Sequence, residues 1–196
     1  YRYYDTFGKD VAYEFGYGDS YTDFTIHTDS VSANQDKVTV KATVKNVGTV
    51  SGKEVVEVYF SAPDGKLDKP YQELAGYAKT DELAPGEEQT LTISFDTTEM
   101  GSYDEDIAAY IMEDGEYIIR VGNSSRNTHV AGKLSLAEDV VTEQYSNLMV
   151  LPSKNPNLAQ DEKYPELDIL TTDGATPITY EGEAEEIAGA QTINLH

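Results

Sequence analysis

The stretch Lys37-Val38-Thr39-Val40-Lys41-Ala42-Thr43-Val44-Lys45 constrains this chain more than any other. Val38, Val40, Ala42 and Val44 fall on one side, and Lys and Thr fall on the other. A period of two over nine residues is incompatible with a helix and fits a half-buried strand of an antiparallel sheet. Asn46-Val47-Gly48 closes the strand with turn chemistry. The same grammar repeats along the chain. Strands are expected over Glu54–Phe60, Glu73–Lys79 and Thr90–Phe95, with Leu83-Ala84-Pro85-Gly86-Glu87 as a turn before the third of these. Gly115–Gly122 and His129–Leu136 follow, and Asp106–Met112 is a short ambiguous run. About seven short strands with turns every 8–12 residues predict an all-β, immunoglobulin-like antiparallel sandwich.

Three regions are expected. Residues 1–21 are a Tyr- and Gly-rich arm without helical or strand period, expected to lie extended on its own domain or on a neighbouring one. Residues 22–138 are the sandwich. Residues 139–196 are an acidic linker leading to a further domain, with weak helical signals at Thr142–Met149 and Glu183–Ala190. The chain starts at Tyr1 without Met or leader and reads as a segment of something longer.

Charge narrows the partners. The chain has 36 Asp and Glu against 14 Lys and Arg, a formal net charge of −22. Such a surface repels phosphate backbones and anionic bilayers, so neither nucleic acid nor membrane is an expected partner. No apolar run of about 18 residues is present. Without cysteine there is no disulfide framework and no thiolate metal site. No cofactor is expected, and the compartment stays open between cytoplasm and secretion.

The catalytic inventory is thin. Asp104-Glu105-Asp106 and Glu183-Ala184-Glu185-Glu186 are the densest acid clusters, and both read as solvated surface rather than a glycosidase pair. Asp104, Glu105 and Asp106 lack the calcium-loop pattern, so no metal ligand is assigned. His27 and His129 sit in or beside strands, His196 is the last residue, and no nucleophile elbow accompanies them. No catalytic residue is assigned. With 15 Tyr, 5 Phe and no Trp, Tyr71 and Tyr77 are the candidates for sugar contact or interface packing.

Several ordered motifs resemble one family. Tyr1-Arg2-Tyr3-Tyr4-Asp5-Thr6 followed by Phe15-Gly16-Tyr17-Gly18-Asp19-Ser20-Tyr21-Thr22 is similar to the segment entering the fibronectin type III-like domain of glycoside hydrolase family 3 enzymes. Lys45-Asn46-Val47-Gly48, Gly52-Lys53-Glu54-Val55-Val56, Glu73-Leu74-Ala75-Gly76-Tyr77 and Gly115-Glu116-Tyr117 through Ser125 continue the likeness. Asp19 stands where the family usually has Leu, a charge in place of an apolar anchor. The resemblance implies a non-catalytic module that docks and stabilises the barrel and α/β sandwich domains of the same polypeptide. It implies a parent that hydrolyses terminal β-D-glucosyl residues with retention, a β-xylosidase being the related alternative. The long tail suggests the inverted domain order, with a barrel downstream. A carbohydrate-binding role for surface Tyr is the rival expectation.

Overall fold

The computed structural model describes residues 1–146 and 183–195. Two sheets face each other. The first contains β1 (Phe24–Ala33), β2 (Lys37–Asn46) and β5 (Glu88–Asp96) in the order β1-β2-β5, all antiparallel. The second contains β3 (Val55–Ser61), β4 (Glu73–Lys79), β8 (Gly115–Ser124), β9 (Asn127–Leu136) and β11 (Thr192–Leu195) in the order β11-β9-β8-β3-β4. A small third sheet, ordered β10-β7-β6, is built from β6 (Ser102–Asp104), β7 (Ala109–Met112) and β10 (Val140–Gln144). The expected all-β sandwich is the fold observed.

Alternation explains the core. Val38, Val40, Ala42 and Val44 of β2 are fully buried, and Leu91, Ile93 and Phe95 of β5 join them. From the other sheet come Val56, Val58 and Phe60 of β3, Tyr117, Ile119 and Val121 of β8, and Leu134 of β9. Burying each such side chain is worth about 1.5–3 kcal/mol, so the two inner faces supply the main driving force.

The turns follow their residues. In Ala84-Pro85-Gly86-Glu87 the Glu87 N–H donates to the Ala84 carbonyl at 2.9 Å, and Gly86 has φ +83°. Pro presets the first central position and Gly supplies the left-handed second, which is a type II turn. Asn46 does more than end β2. It is wholly buried, donates to the carbonyls of Val50 and Leu83 at 2.8 Å each, and accepts from Thr22 Oγ1 at 2.8 Å and the Gly48 N–H at 3.0 Å. A buried amide is tolerated when its donors and acceptors are filled in this way. A Cβ at Gly48 would run into Thr22, so the close loop requires Gly.

Several expectations need correction. Arg2–Thr6 form a short helix, α1, rather than extended arm. Thr142–Gln144 belong to strand β10, not to a helix, because Val140, Val141, Glu143 and Gln144 pair antiparallel with β7, Thr142 falling at the register shift; residues 147–149 of that signal lie outside the described residues. Glu183–Gly189 is helical, as expected, and forms α2. The sequence reading missed β11, which adds in parallel to β9. Among the described residues the two facing sheets hold eight strands, in line with the seven or so expected, and the small third sheet adds three.

Candidate functional site

Side chains alternate across β3 and β8, so each strand that sends apolar residues inward sends a second set outward. Here the outward set is polar and also buried. Glu57, Tyr59 and Ser61 of β3 stand opposite Gly122, Arg120 and Ile118 of β8. Tyr59 is inaccessible, and Glu57 and Arg120 are buried. Two chain segments cover them.

The first cover is residues 1–17. Tyr1 stacks on Phe15 at 4.8 Å between ring centroids and meets the edge of Tyr59 at 5.9 Å. The Leu74 N–H donates to the Tyr1 hydroxyl oxygen at 2.7 Å, and the Tyr71 N–H donates to Thr6 Oγ1 at 2.8 Å. Asp5, buried, pairs with Arg126 at 2.9 Å, and Arg126 also reaches the Lys9 carbonyl at 2.7 Å. The Ser125 N–H donates to the Phe15 carbonyl at 2.8 Å. Gly16 (φ +83°) lies directly over the Glu57 carboxylate, leaving no room for a side chain. The arm is therefore docked on its own domain.

The second cover is α2. Glu183 forms a buried ion pair with Arg120 and accepts from the Tyr71 hydroxyl at 2.8 Å. Arg120 donates to Ser61 Oγ at 2.9 Å, and its guanidinium lies 4.9 Å from the Tyr71 ring centroid. The guanidinium thus has an anion, a hydroxyl and an aromatic face around it, the combination that makes a buried Arg tolerable. Glu186 accepts from the Val130 N–H at 3.0 Å, and β11 continues along β9.

Burial sets the electrostatics. Desolvation pushes the Glu57 carboxyl above its ordinary value, although the Tyr59 hydroxyl donates to it at 2.5 Å, and nearby Glu54 adds to the rise. The Tyr59 hydroxyl is itself pushed well above the usual phenol range by burial and by the carboxylate it serves. Glu113 behaves oppositely. Burial alone would raise it, but Lys69 and the N–H groups of Lys66 and Leu67 outweigh that and hold it below its ordinary value. Asp104 is likewise lowered by Lys66, 2.7 Å away.

The residues singled out in the sequence are scattered. Tyr71 is enclosed by Arg120 and Glu183, whereas Tyr77, opposite Glu57 in the register, is 70% exposed. Tyr71 lies two residues before β4 and is enclosed, whereas Tyr77 lies near the far end of β4 and is exposed, so they form no joint platform. Asp104 and Asp106 share Lys66, and no group of three metal-ligating side chains occurs among the described residues. His129 Nε2 bonds Thr28 Oγ1 at 2.8 Å, and burial lowers its pKa; His196 lies outside the described residues. Asp19 is exposed and accepts from the Tyr17 hydroxyl at 3.0 Å, so its charge is solvated. Sequence reasoning missed Arg120 and Glu57, and its reading of both acid clusters as solvated surface needs correction, since Asp104 and Glu183 are buried because each is held by a cation, Lys66 and Arg120. Arg120 and Glu57 carried a signal, each a charge inside an otherwise apolar strand.

The family of fibronectin type III-like domains matches residues 54–125, the span from β3 to the end of β8. The chain is also 38% identical over 190 residues to β-glucosidase A of Butyrivibrio fibrisolvens, covering 85% of this chain and 23% of that protein. It is 43% identical over 150 residues to a β-glucosidase of Ruminococcus albus, covering 74% and 16%. The chain carries a fibronectin type III-like domain of the glycoside hydrolase family 3 kind. Among solved structures, this fibronectin type III-like chain is similar to a β-glucosidase from Paenibacillus barengoltzii, at 40% identity and TM-score 0.70 over 74% of this chain and 17% of that one. It is similar to β-glucosidase 3B from Thermotoga neapolitana, solved with glucose, at 42% identity and TM-score 0.67 over 72% and 20%. The chain therefore spans less than a quarter of the length of these relatives.

Proposed function

We propose that the domain is a non-catalytic structural module of a β-glucosidase, docking and stabilising the barrel and α/β sandwich domains of the same polypeptide. One observation carries this reading. The arm is stapled to the module on one side, yet it presents Tyr13 (70% exposed), Tyr17 and a fully exposed Tyr21 on the other. The Tyr13 and Tyr17 rings already pack together, tilted, at 4.9 Å between centroids. Exposed tyrosines on a docked arm suit packing against a neighbouring protein surface. In this reading the parent hydrolyses terminal β-D-glucosyl residues with retention, and both carboxylates of that reaction come from the neighbouring domains. The inverted domain order, with the barrel downstream, belongs to the same proposal.

The test is made in the full-length parent. Replacing Tyr13, Tyr17 and Tyr21 by Ser together should lower the melting temperature while leaving kcat on a chromogenic β-glucoside unchanged per folded molecule. Unaltered melting would overturn the docking role. The isolated chain should give no turnover in the same assay. The exposed Tyr77 ring favours one rival, a carbohydrate contact on β4. Retention on insoluble glucan that is lost in Tyr77→Ala would establish that rival instead.

A further inference from the structure

We propose that the outer face of the small β10-β7-β6 sheet is a binding site for a neutral, β-linked glucan chain. The site is distinct from the arm and from Tyr77, and it rests on the β-glucosidase reading only for the choice of sugar.

Strand pairing builds the site. Tyr103 of β6 and Tyr110 of β7 are register partners, and Glu143 of β10 is the partner of Tyr110 on its other side. Directly paired residues share a face, so the order across the sheet is ring, ring, carboxylate. The Tyr103 and Tyr110 centroids are 5.2 Å apart, and Tyr145 continues the row 6.0 Å from Tyr110. The three rings are 39%, 39% and 46% exposed. The alternate residues Ala109 and Ile111 are buried beneath them, so the ring face is held by the packing below. Beside Tyr110 lies a depression of about 430 Å³ lined by Thr98, Glu99, Gly101, Tyr110, Thr142 and Glu143. That volume falls in the range of small-ligand clefts, about 300–1,000 Å³.

The chemistry of the lining selects the ligand. A β-linked pyranose carries its C–H bonds on its two faces and its hydroxyls around the rim. The C–H faces suit the electron-rich faces of Tyr rings, and the hydroxyls suit an edge of carboxylates and threonine hydroxyls. This lining has both parts. Glu143 also bonds the Tyr145 hydroxyl, which fixes the carboxylate beside the rings. An apolar protein surface would strip water from the Glu99 and Glu143 carboxylates without replacing its hydrogen bonds, and each buried acceptor left unsatisfied costs about 1–3 kcal/mol, more for a charged group. Anionic polymers are repelled by the same two carboxylates and by the net charge of −22.

Because the chain has 15 Tyr and no Trp, its intrinsic tyrosine emission reports directly on ring contact. Titration of the whole chain with cellohexaose should give saturable quenching. Tyr110→Ala should weaken the binding roughly tenfold or more, Tyr110→Phe should retain most of it, and Tyr17→Ala and Tyr77→Ala should leave it unchanged. An oligogalacturonate of equal length should not bind. If circular dichroism shows Tyr110→Ala to be unfolded, Tyr145→Ala decides the matter in its place. The absence of saturable binding, an unaffected Tyr110→Ala, or a loss confined to Tyr77→Ala would each overturn the proposal. None of these outcomes bears on the docking role, which is read from the melting of the parent.

Discussion

Both faces of the central strands β3 and β8 are closed to water, yet they are built from opposite materials. Inward, β3 and β8 present Val56, Val58, Phe60, Tyr117, Ile119 and Val121; outward, they present Glu57, Tyr59 and Arg120. The inner face needs only area and shape, because apolar burial has no direction. The outer face needs a partner for every polar group: Glu57 and Tyr59 serve each other, Arg120 takes Ser61 and Glu183 of α2, and residues 1–17 roof the Glu57–Tyr59 pair. The inner face therefore decides whether the sandwich exists. The outer face decides what is attached to it.

This division can be broken from either side. Ile119→Ala removes a fully buried inward side chain and should cost about 2–5 kcal/mol of global stability, measured by chemical denaturation. A loss well below that range would mean the inner face is less tightly packed than its burial indicates.

Arg120→Met strikes the outward face. It strips Glu183 of its cation and should cost about 1–3 kcal/mol, less than the 3–5 typical of a broken buried pair, because α2 can detach and hydrate its carboxylate. Hydrogen exchange should show protection lost at the β9 amides that pair with β11 while β2 and β5 keep theirs. The double variant Arg120→Met with Glu183→Leu should recover much of the loss.

A pH series sharpens the contrast further. The folded value of Glu57 is raised above the ordinary 4.5. Its contribution to stability is therefore full below that ordinary value and is lost as pH climbs through the folded value. Glu57→Gln should flatten the fall in melting temperature between about pH 4.5 and neutrality. Glu113, held low by Lys69, works in the opposite sense, contributing above the ordinary value and losing it as pH drops. A melting curve indifferent to Glu57→Gln across that window would refute the buried-carboxylate account. The smallest effect is expected at Lys45, 3.7 Å from Glu88 on the wet face of the first sheet; Lys45→Ala should change stability by less than about 0.5 kcal/mol in thermal melts.

The inner face was readable in the sequence because alternation is a local signal. Val38 to Val44 and Leu91 to Phe95 announce their own burial without reference to anything distant. The outer face was not readable for the complementary reason. Arg120 within Ile118-Ile119-Arg120-Val121 looks like a residue turned toward water, and only Glu183, far along the chain, makes it buried. Strand β11 escaped notice because four residues are too few to show a period. Helix α1 escaped because its five residues are Tyr-rich and held by the contacts of Tyr1, Asp5 and Thr6 with the sheet. Tyr145 lies far along the chain from Tyr103 and Tyr110, and only the cross-strand register brings the three rings into one row.

The parallel pairing of β11 with β9 also has a consequence in time. The β1–β2 and β8–β9 hairpins join strands a few residues apart and can zip as soon as both are synthesised. Strand β11 must instead find Lys133 to Leu136 after more than fifty intervening residues have been made. Loop closure of that length is entropically affordable but slow to be rewarded. The sandwich should thus complete itself first, on the emerging nascent chain, and take up its closing strand as the last event of maturation.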